Sequence, residues 1–334
     1  MEDKITLSHG SGGHKTSELI AGIFKKNLDN EYFTADDAAV MPAPEGKIAM
    51  STDGFIVSPW EFPGGNIGKL SVCGTVNDIA CMGARPLYLT CSYVIEEGFA
   101  VSDLEEIAKA MGETARKAGV KIVAGDTKVA GKGQVDGLFI TTAGVGVIEN
   151  EVNLSGAFAK PGDSIIVTGD IGRHGCAILL ARDEYGIEAD VTSDCAPLAD
   201  PALAVVSKIP ETHVIRDATR GGVGTVLYEI CDASDVGIEI VSDDIPVDPA
   251  VRGVTGLLGL EPLYLACEGR LVIIVPSEFE DKAIEILSAY EETAGAKIIG
   301  RVTDDHKGKV VMKTSIGGMT FLPPPGKELL PRIC

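Results

Sequence analysis

Apolar residues recur along this chain at the 3.6-residue period of helices in some stretches and as short β-rich runs in others. Helical spacing predicts one helix from Thr16 to Leu28 and a second from the N-cap Asn66 to about Met82, with Ile67, Leu70, Val76 and Ile79 apolar. A third opens with the capping box Ser102-Asp103-Leu104-Glu105 and stops at Gly119. Leu104, Ile107, Ala108, Met111 and Ala115 mark its buried face. Strands are predicted at Lys47–Thr52, Pro86–Val94, Lys121–Ala124 and Leu138–Ile148. The stretch from Glu149 to Pro161 reads as a boundary, and a strand at Ser164–Thr168 opens a second unit. Helices in that unit start near Gly175, Asp200 and Gly222, and a last one follows the capping box Ser277-Glu278-Phe279-Glu280. The organisation predicted is α/β of the α+β kind, with domains at 1–155 and 156–320 and an extended tail at 321–334.

A length of 334 residues accommodates two cores of this size. No apolar run approaches the roughly 20 residues of a membrane helix, and the polar start carries no signal-peptide core. Eight cysteines without CxxC spacing fit a reducing cytoplasm and give neither a disulfide framework nor a zinc site. A formal net charge of −20 argues against nucleic acid or an anionic membrane as partner. Were such an acidic chain to bind a nucleotide, it would need a cation such as Mg2+ between its carboxylates and the phosphates.

Candidate ligands for that cation are Asp37, Asp53, Asp78 and Asp126, expected at or just past strand ends or on a helix. Several carboxylates converging there form a hard oxygen site, although each alone is equally a turn residue. Gly10, Ser11, Gly12 and Gly13 lead into the first helix, where backbone N–H groups can approach phosphate oxygens. The loop is neither a Walker A motif nor a dinucleotide fingerprint. In the second half, Asp217, Thr219, Arg220, Gly221 and Gly222 form a polar turn suited to an anion or carbonyl, or held by Asp–Arg pairs. His174 and His213 are read as structural.

The last residue is Cys334, in a segment reading FLPPPGKELLPRIC. Its prolines disfavour helix and sheet and predict an extended arm that presents a thiol. The position rules out a prenylation box, whose cysteine stands four from the end.

Together, HGSGG, DDAAV, TDGF, NDIACMGARP, AGDTKV and RDATRGG resemble the superfamily of aminoimidazole ribonucleotide synthetase, selenophosphate synthetase and thiamine-monophosphate kinase. The terminal PRIC narrows the resemblance to the HypE family of hydrogenase maturation proteins, over essentially the whole chain. That resemblance implies a two-domain fold whose N-terminal sheets pair in a homodimer, with ATP near the interface. It also implies a carbamoyl dehydratase. Cys334 would receive a carbamoyl group from the carbamoyltransferase HypF, and the S-carboxamide would be dehydrated to an S-cyanate at the expense of ATP. The cyano group would pass to iron on a HypC–HypD scaffold and become a cyanide ligand of NiFe-hydrogenase.

By the same resemblance, Asp37, Asp53, Asp78 and Asp126 would hold Mg2+–ATP with Asn77 and Thr127, and the Gly10–Gly13 loop would close over the nucleotide. Lys128 would orient the amide, and Glu268 would be the base, beside Cys267 where an Asn-like side chain is expected. The alternatives are a small-molecule kinase or synthetase, which leaves Cys334 without a role, and a nucleotide-gated scaffold whose Cys334 ligates iron or zinc.

Overall fold

A computed structural model of the chain describes residues 3–34, 36–149 and 151–326. The expectation for Cys334 and its arm beyond Gly326 lies outside the described residues. The first helical stretch starts at His14 (α1, His14–Leu19), continues as a π-helical segment and ends as α2 (Lys26–Leu28). There follow β1 (Lys47–Phe55), the ribbon β2 (Glu61–Phe62) and β3 (Gly65–Asn66), α3 (Ile67–Cys81), β4 (Arg85–Glu96), α4 (Val101–Lys117), β5 (Lys121–Ala130) and β6 (Leu138–Ile148).

Four of these strands form a sheet in the order β1-β6-β4-β5, with β4 and β5 parallel across the α4 crossover. Asn66 caps α3 as predicted, its Oδ1 accepting from the Gly68 and Lys69 amides at 2.9 and 3.1 Å. The capping box at Ser102 is not formed. α4 begins a residue earlier, and Ser102 Oγ donates to Asp103 instead. β1 and β5 outrun their predicted ends, because Asp53-Gly54 and Gly125-Asp126 continue extended where turns were expected.

The second domain contains β7 (Ser164–Val167), α5 (Arg173–Ala181), α6 (Ala199–Lys208), β8 (Val214–Asp217), α7 (Gly222–Ser234) and β9 (Gly237–Val241). It continues with α8 (Pro249–Leu258), β10 (Leu271–Val275), α9 (Glu280–Ser288), β11 (Lys297–Thr303), β12 (Val310–Lys313) and β13 (Met319–Phe321). Its sheet runs β13-β12-β9-β11-β7-β10-β8. α8, N-capped by Asp248 with Pro249 in its first turn, was missed in the sequence. Ser277 forms a 3-10 turn ahead of α9 and caps nothing. The sheet also keeps Phe321, and Leu322 is buried, so ordered packing passes the predicted start of the tail.

α3 is buried around its circumference, which explains why its apolar positions do not fall on one stripe. One side lies on the first sheet, where Gly144 and Gly146 leave room for Thr75 and Ile79. The other side meets β8 and α6. Asn77, buried on α3, donates to Ala196 O at 3.1 Å and accepts from Leu198 N at 2.7 Å. The strap of residues 193–198 is held again where Ser193 N donates to Pro63 O at 2.8 Å.

Replacing Asn77 with Ala leaves two buried backbone groups without partners, at a cost of about 2–3 kcal/mol. Thermal denaturation should show Tm lower by several degrees; an unchanged Tm would mean that other contacts join the domains.

Candidate active site between the domains

The register of the first sheet decides which carboxylates can meet. Asp53 pairs with Thr142 and alternates with Ser51 and Phe55 on the face covered by α3. There Asp78 of α3 accepts a hydrogen bond from Ser51 Oγ at 2.5 Å and shares another with Asp53. Gly74, one turn earlier, makes this approach possible. A Cβ there would stand 2.9 Å from the Phe55 ring and 3.7 Å from Asp53 Oδ2.

From the second domain, Asp217 at the end of β8 and Glu268 ahead of β10 face the same pair. Burial and the neighbouring Asp78 push Asp53 up to about 6. Burial, then Asp78, push half-buried Asp217 up to about 7. Glu268, buried beside Cys195, Asp217, Asp194 and Asp53, is held well above the usual carboxylate range, mainly by burial. Positive charge reaches the cluster from Arg220, which favours ionised Asp53, and from Arg216, which favours ionised Asp217 but also pairs with Glu229 at 2.7 Å.

The peptide before β10 is positioned by the strap. Asp194 accepts from the Glu268 and Gly269 amides at 3.3 and 3.2 Å. Gly269 is required here, because a Cβ would lie 1.8 Å from Asp194 O. Arg270 stands 3.9 Å from Asp194 and pairs with Asp170 at 2.7 Å. Cys267, where an amide side chain was expected, is buried and accepts from Gly172 N at 3.1 Å. It therefore secures the turn into α5 and offers Glu268 no side-chain partner.

The predicted residues separate into two groups and two outliers. Asp53, Asp78, Asp217 and Glu268 come together, with Arg220 beside them. Asp126 lies in a row with Ser92, Thr141 and Gly54, which places it on the opposite face of the sheet from Asp53. It pairs there with Lys128 at 2.7 Å and accepts from Thr127 N at 2.9 Å. The Gly10–Gly13 loop packs on this edge; a Cβ at Gly10 would meet Val129 N at 2.8 Å. Asp37 stands in an exposed loop and shares no hydrogen bond or ion pair with the other aspartates among the described residues. Asn77, expected beside the nucleotide, makes one hydrogen bond through its amide nitrogen and one through its oxygen across the domain boundary. Of the four aspartates expected to hold a cation, the chain brings Asp53 and Asp78 together, with Asp217 adjacent, and leaves Asp37 and Asp126 apart from them.

Among the described residues no group of three or more His, Cys, Asp or Glu side chains is arranged to hold a metal ion alone. Crowded, under-neutralised Asp53 and Asp78 nevertheless suit Mg2+, which takes one or two carboxylates and completes its shell with phosphate oxygens and water. Asp194, Arg270 and Ser51 were not found in the sequence. They support the cluster through long-range contacts that no local motif announces.

Residues 35–148 match the N-terminal domain of the AIR synthase related protein family, and residues 160–313 match its C-terminal domain. Carbamoyl dehydratase HypE of Azotobacter vinelandii is 44% identical over 331 residues, covering 99% of this chain and 97% of that protein. The chain belongs to the HypE family. A crystal structure of the hydrogenase maturation protein HypE in complex with ATP matches with a TM-score of 0.94 and 42% identity, over 98% of this chain and 99% of that one. HypE in a HypE–HypF complex matches with a TM-score of 0.81 and 45% identity, over 92% and 99%. The HypE fold therefore extends over both domains described here, and the interdomain cluster lies at its centre.

Asp53 and Asp217 are raised from 3.8 to about 6 and about 7, so the folded chain binds protons more tightly than the unfolded one. Their contribution to stability is present at low pH and is lost as pH rises through that window. Asp217→Asn should accordingly stabilise the apo protein by on the order of 1 kcal/mol at about pH 8 and by little at about pH 4. Melting curves at the two pH values test this; equal shifts at both would remove charge crowding as the cause.

Proposed function

We propose that this chain dehydrates an S-carboxamide carried on Cys334 to an S-cyanate, using Mg2+–ATP, in the supply of cyanide for NiFe-hydrogenase iron. The observation that carries the reading is Glu268, a buried carboxylate pushed upward beside Asp53, Asp78 and Asp217 at the domain boundary. Relatives named carbamoyl dehydratase, and related HypE structures with ATP and with HypF, support it. We extend to this chain the binding of ATP and delivery of the carbamoyl group by HypF, with transfer onward to a HypC–HypD scaffold in the cytoplasm.

Bound Mg2+–ATP would supply the phosphoryl group that converts the amide oxygen into a leaving group. An S-carboxamide and ATP become an S-cyanate, ADP, phosphate and one proton. The chain's own part is positional and protonic. Asp53 and Asp78 would bind the cation, and Glu268 would take the N–H proton as the C–O bond breaks. A carboxylate with an upward-shifted pKa is a stronger base than an ordinary glutamate, provided that bound cation and substrate leave it ionised. Gly10–Gly13, Thr127 and the Asp126–Lys128 pair would border the nucleotide from the sheet edge, with Lys128 free to exchange Asp126 for the carboxamide oxygen.

The outer face of the first sheet favours a homodimer. Ile48 and Met50 on edge strand β1 are 57% and 73% exposed. They lie in rows with Val147 and Val145 on β6, and Asp126 and Lys128 share this uncovered face. A second copy covering it would close the two sheets into a barrel and enclose that pair.

The deciding experiment carbamoylates Cys334, enzymatically or with cyanate, adds Mg2+–ATP and weighs the C-terminal peptide. Loss of one water that depends on ATP is the expected result; ATP consumption with no change in tail mass would make the protein a kinase. Glu268→Gln should slow water loss by about 10²-fold or more. Cys334→Ala should still bind ATP; loss of nucleotide binding would assign the cysteine a structural role.

A further inference from the structure

The chain's described end is fastened to α7, the helix that follows the Asp217–Arg220 turn of the site. Leu322 is buried, and its amide donates to Val310 O at 2.8 Å. The Tyr228 hydroxyl donates to Leu322 O, and the Tyr264 hydroxyl donates to Pro323 O. Tyr228 belongs to α7, and Tyr264 ends the 3-10 turn Pro262–Tyr264 that packs on α7.

The glycines of the Arg220-Gly221-Gly222-Val223-Gly224 segment make this packing possible. A Cβ at Gly224 would meet the Tyr264 ring at 2.6 Å, and one at Gly222 would meet the Leu263 and Leu265 carbonyl oxygens at 2.5 Å. Gly222 also has φ +60°, which other residues rarely adopt. The same segment leads directly from Asp217 and Arg220 at the carboxylate cluster. Gly222 and Tyr228 are six residues apart on one helix, about 9 Å at 1.5 Å per residue.

We infer that Tyr228 and Tyr264 are positioning residues that anchor the root of the tail and so set the effective concentration of Cys334 at its own site. Cys334 lies eleven positions beyond Pro323 (334 − 323), a span of about 36–40 Å when fully extended. That contour length is several times the roughly 9 Å of α7 between Gly222 and Tyr228, so a root held at Leu322 and Pro323 leaves Cys334 enough chain to span such a distance. A fixed root confines the search volume, and the intramolecular rate rises with that confinement. This inference rests on the dehydratase reading above.

The test compares the tail acting in cis with a peptide acting in trans. Tyr228→Phe/Tyr264→Phe keeps both rings and removes both carbonyl anchors. In the full chain carbamoylated on Cys334, single-turnover water loss should fall about tenfold. In a full-length Cys334→Ala background, the same pair of substitutions should leave kcat/KM on an added S-carbamoylated tail peptide within about twofold. Hydrogen exchange over residues 319–326 should accelerate in the double variant.

An unchanged cis rate overturns the inference, even if exchange accelerates. Equal losses in cis and in trans overturn it as well, since the tyrosines would then be acting on the site itself. Unchanged exchange shows that the hydroxyls anchor nothing. A parent chain that binds ATP but loses no water refutes the dehydratase reading, and the positioning role with it, while exchange still reports the anchor separately.

Discussion

Two hydrogen bonds from one buried side chain align the halves of this molecule. Asn77 uses its amide nitrogen and its carbonyl oxygen on Ala196 and Leu198, and so fixes the strap from the second domain against α3 of the first. The next residue on α3 is Asp78, and the strap also contains Asp194, which holds the Glu268 and Gly269 amides. One contact thereby sets both sides of the carboxylate cluster: the pair at Asp53 and Asp78, and the base candidate opposite. An asparagine suits the position because it supplies a donor and an acceptor without adding charge to a region already crowded with it.

That crowding is the chemical content of the site. Burial and like charge both disfavour ionisation of Asp53, Asp217 and Glu268, and the nearby guanidinium groups offset this only in part. Such an arrangement weakens the folded state near neutral pH and is relieved by a divalent cation. On the proposed reading, a cation bound between these carboxylates and a nucleotide would couple metal binding to the charge on Glu268. The half-buried Arg270 pairs with Asp170 and holds its carboxyl below the usual range, and it offsets only in part the burial that raises Asp194.

Local chemistry was readable where neighbours in sequence decide it. Asn66 caps α3 because its side chain needs only the amides two and three residues ahead. Ser102 had the right pattern but not the right position, since the chain turns helical before it. Among the aspartates, the sequence showed chemistry but not side. Asp53 and Asp126 both follow apolar strand residues, yet pairing through β6 and β4, with a register shift at Leu89–Thr90, places them on opposite faces. Asp217 read as part of a polar turn suited to an anion or held by Asp–Arg pairs, and it lies in the carboxylate cluster because β8 packs against α3. Asp194 could not be found at all: its partners lie more than seventy residues away, and nothing beside it in sequence marks it.

The glycine-rich turn after β8 joins these levels. A helix N-terminus with an arginine and tandem glycines reads naturally as an anion site, and Arg220 does act on Asp53. The glycines, however, face the other way. Gly222 and Gly224 are small because the Pro262–Tyr264 turn sits directly on them, and that turn holds the carbonyl of Pro323. The motif is therefore a junction: its charged end faces the carboxylates, and its small end seats the root of the segment leading to Cys334. A reaction in which the substrate is attached to the enzyme's own chain needs such a junction, since the site and the tether must be set relative to one another before proximity has any catalytic value.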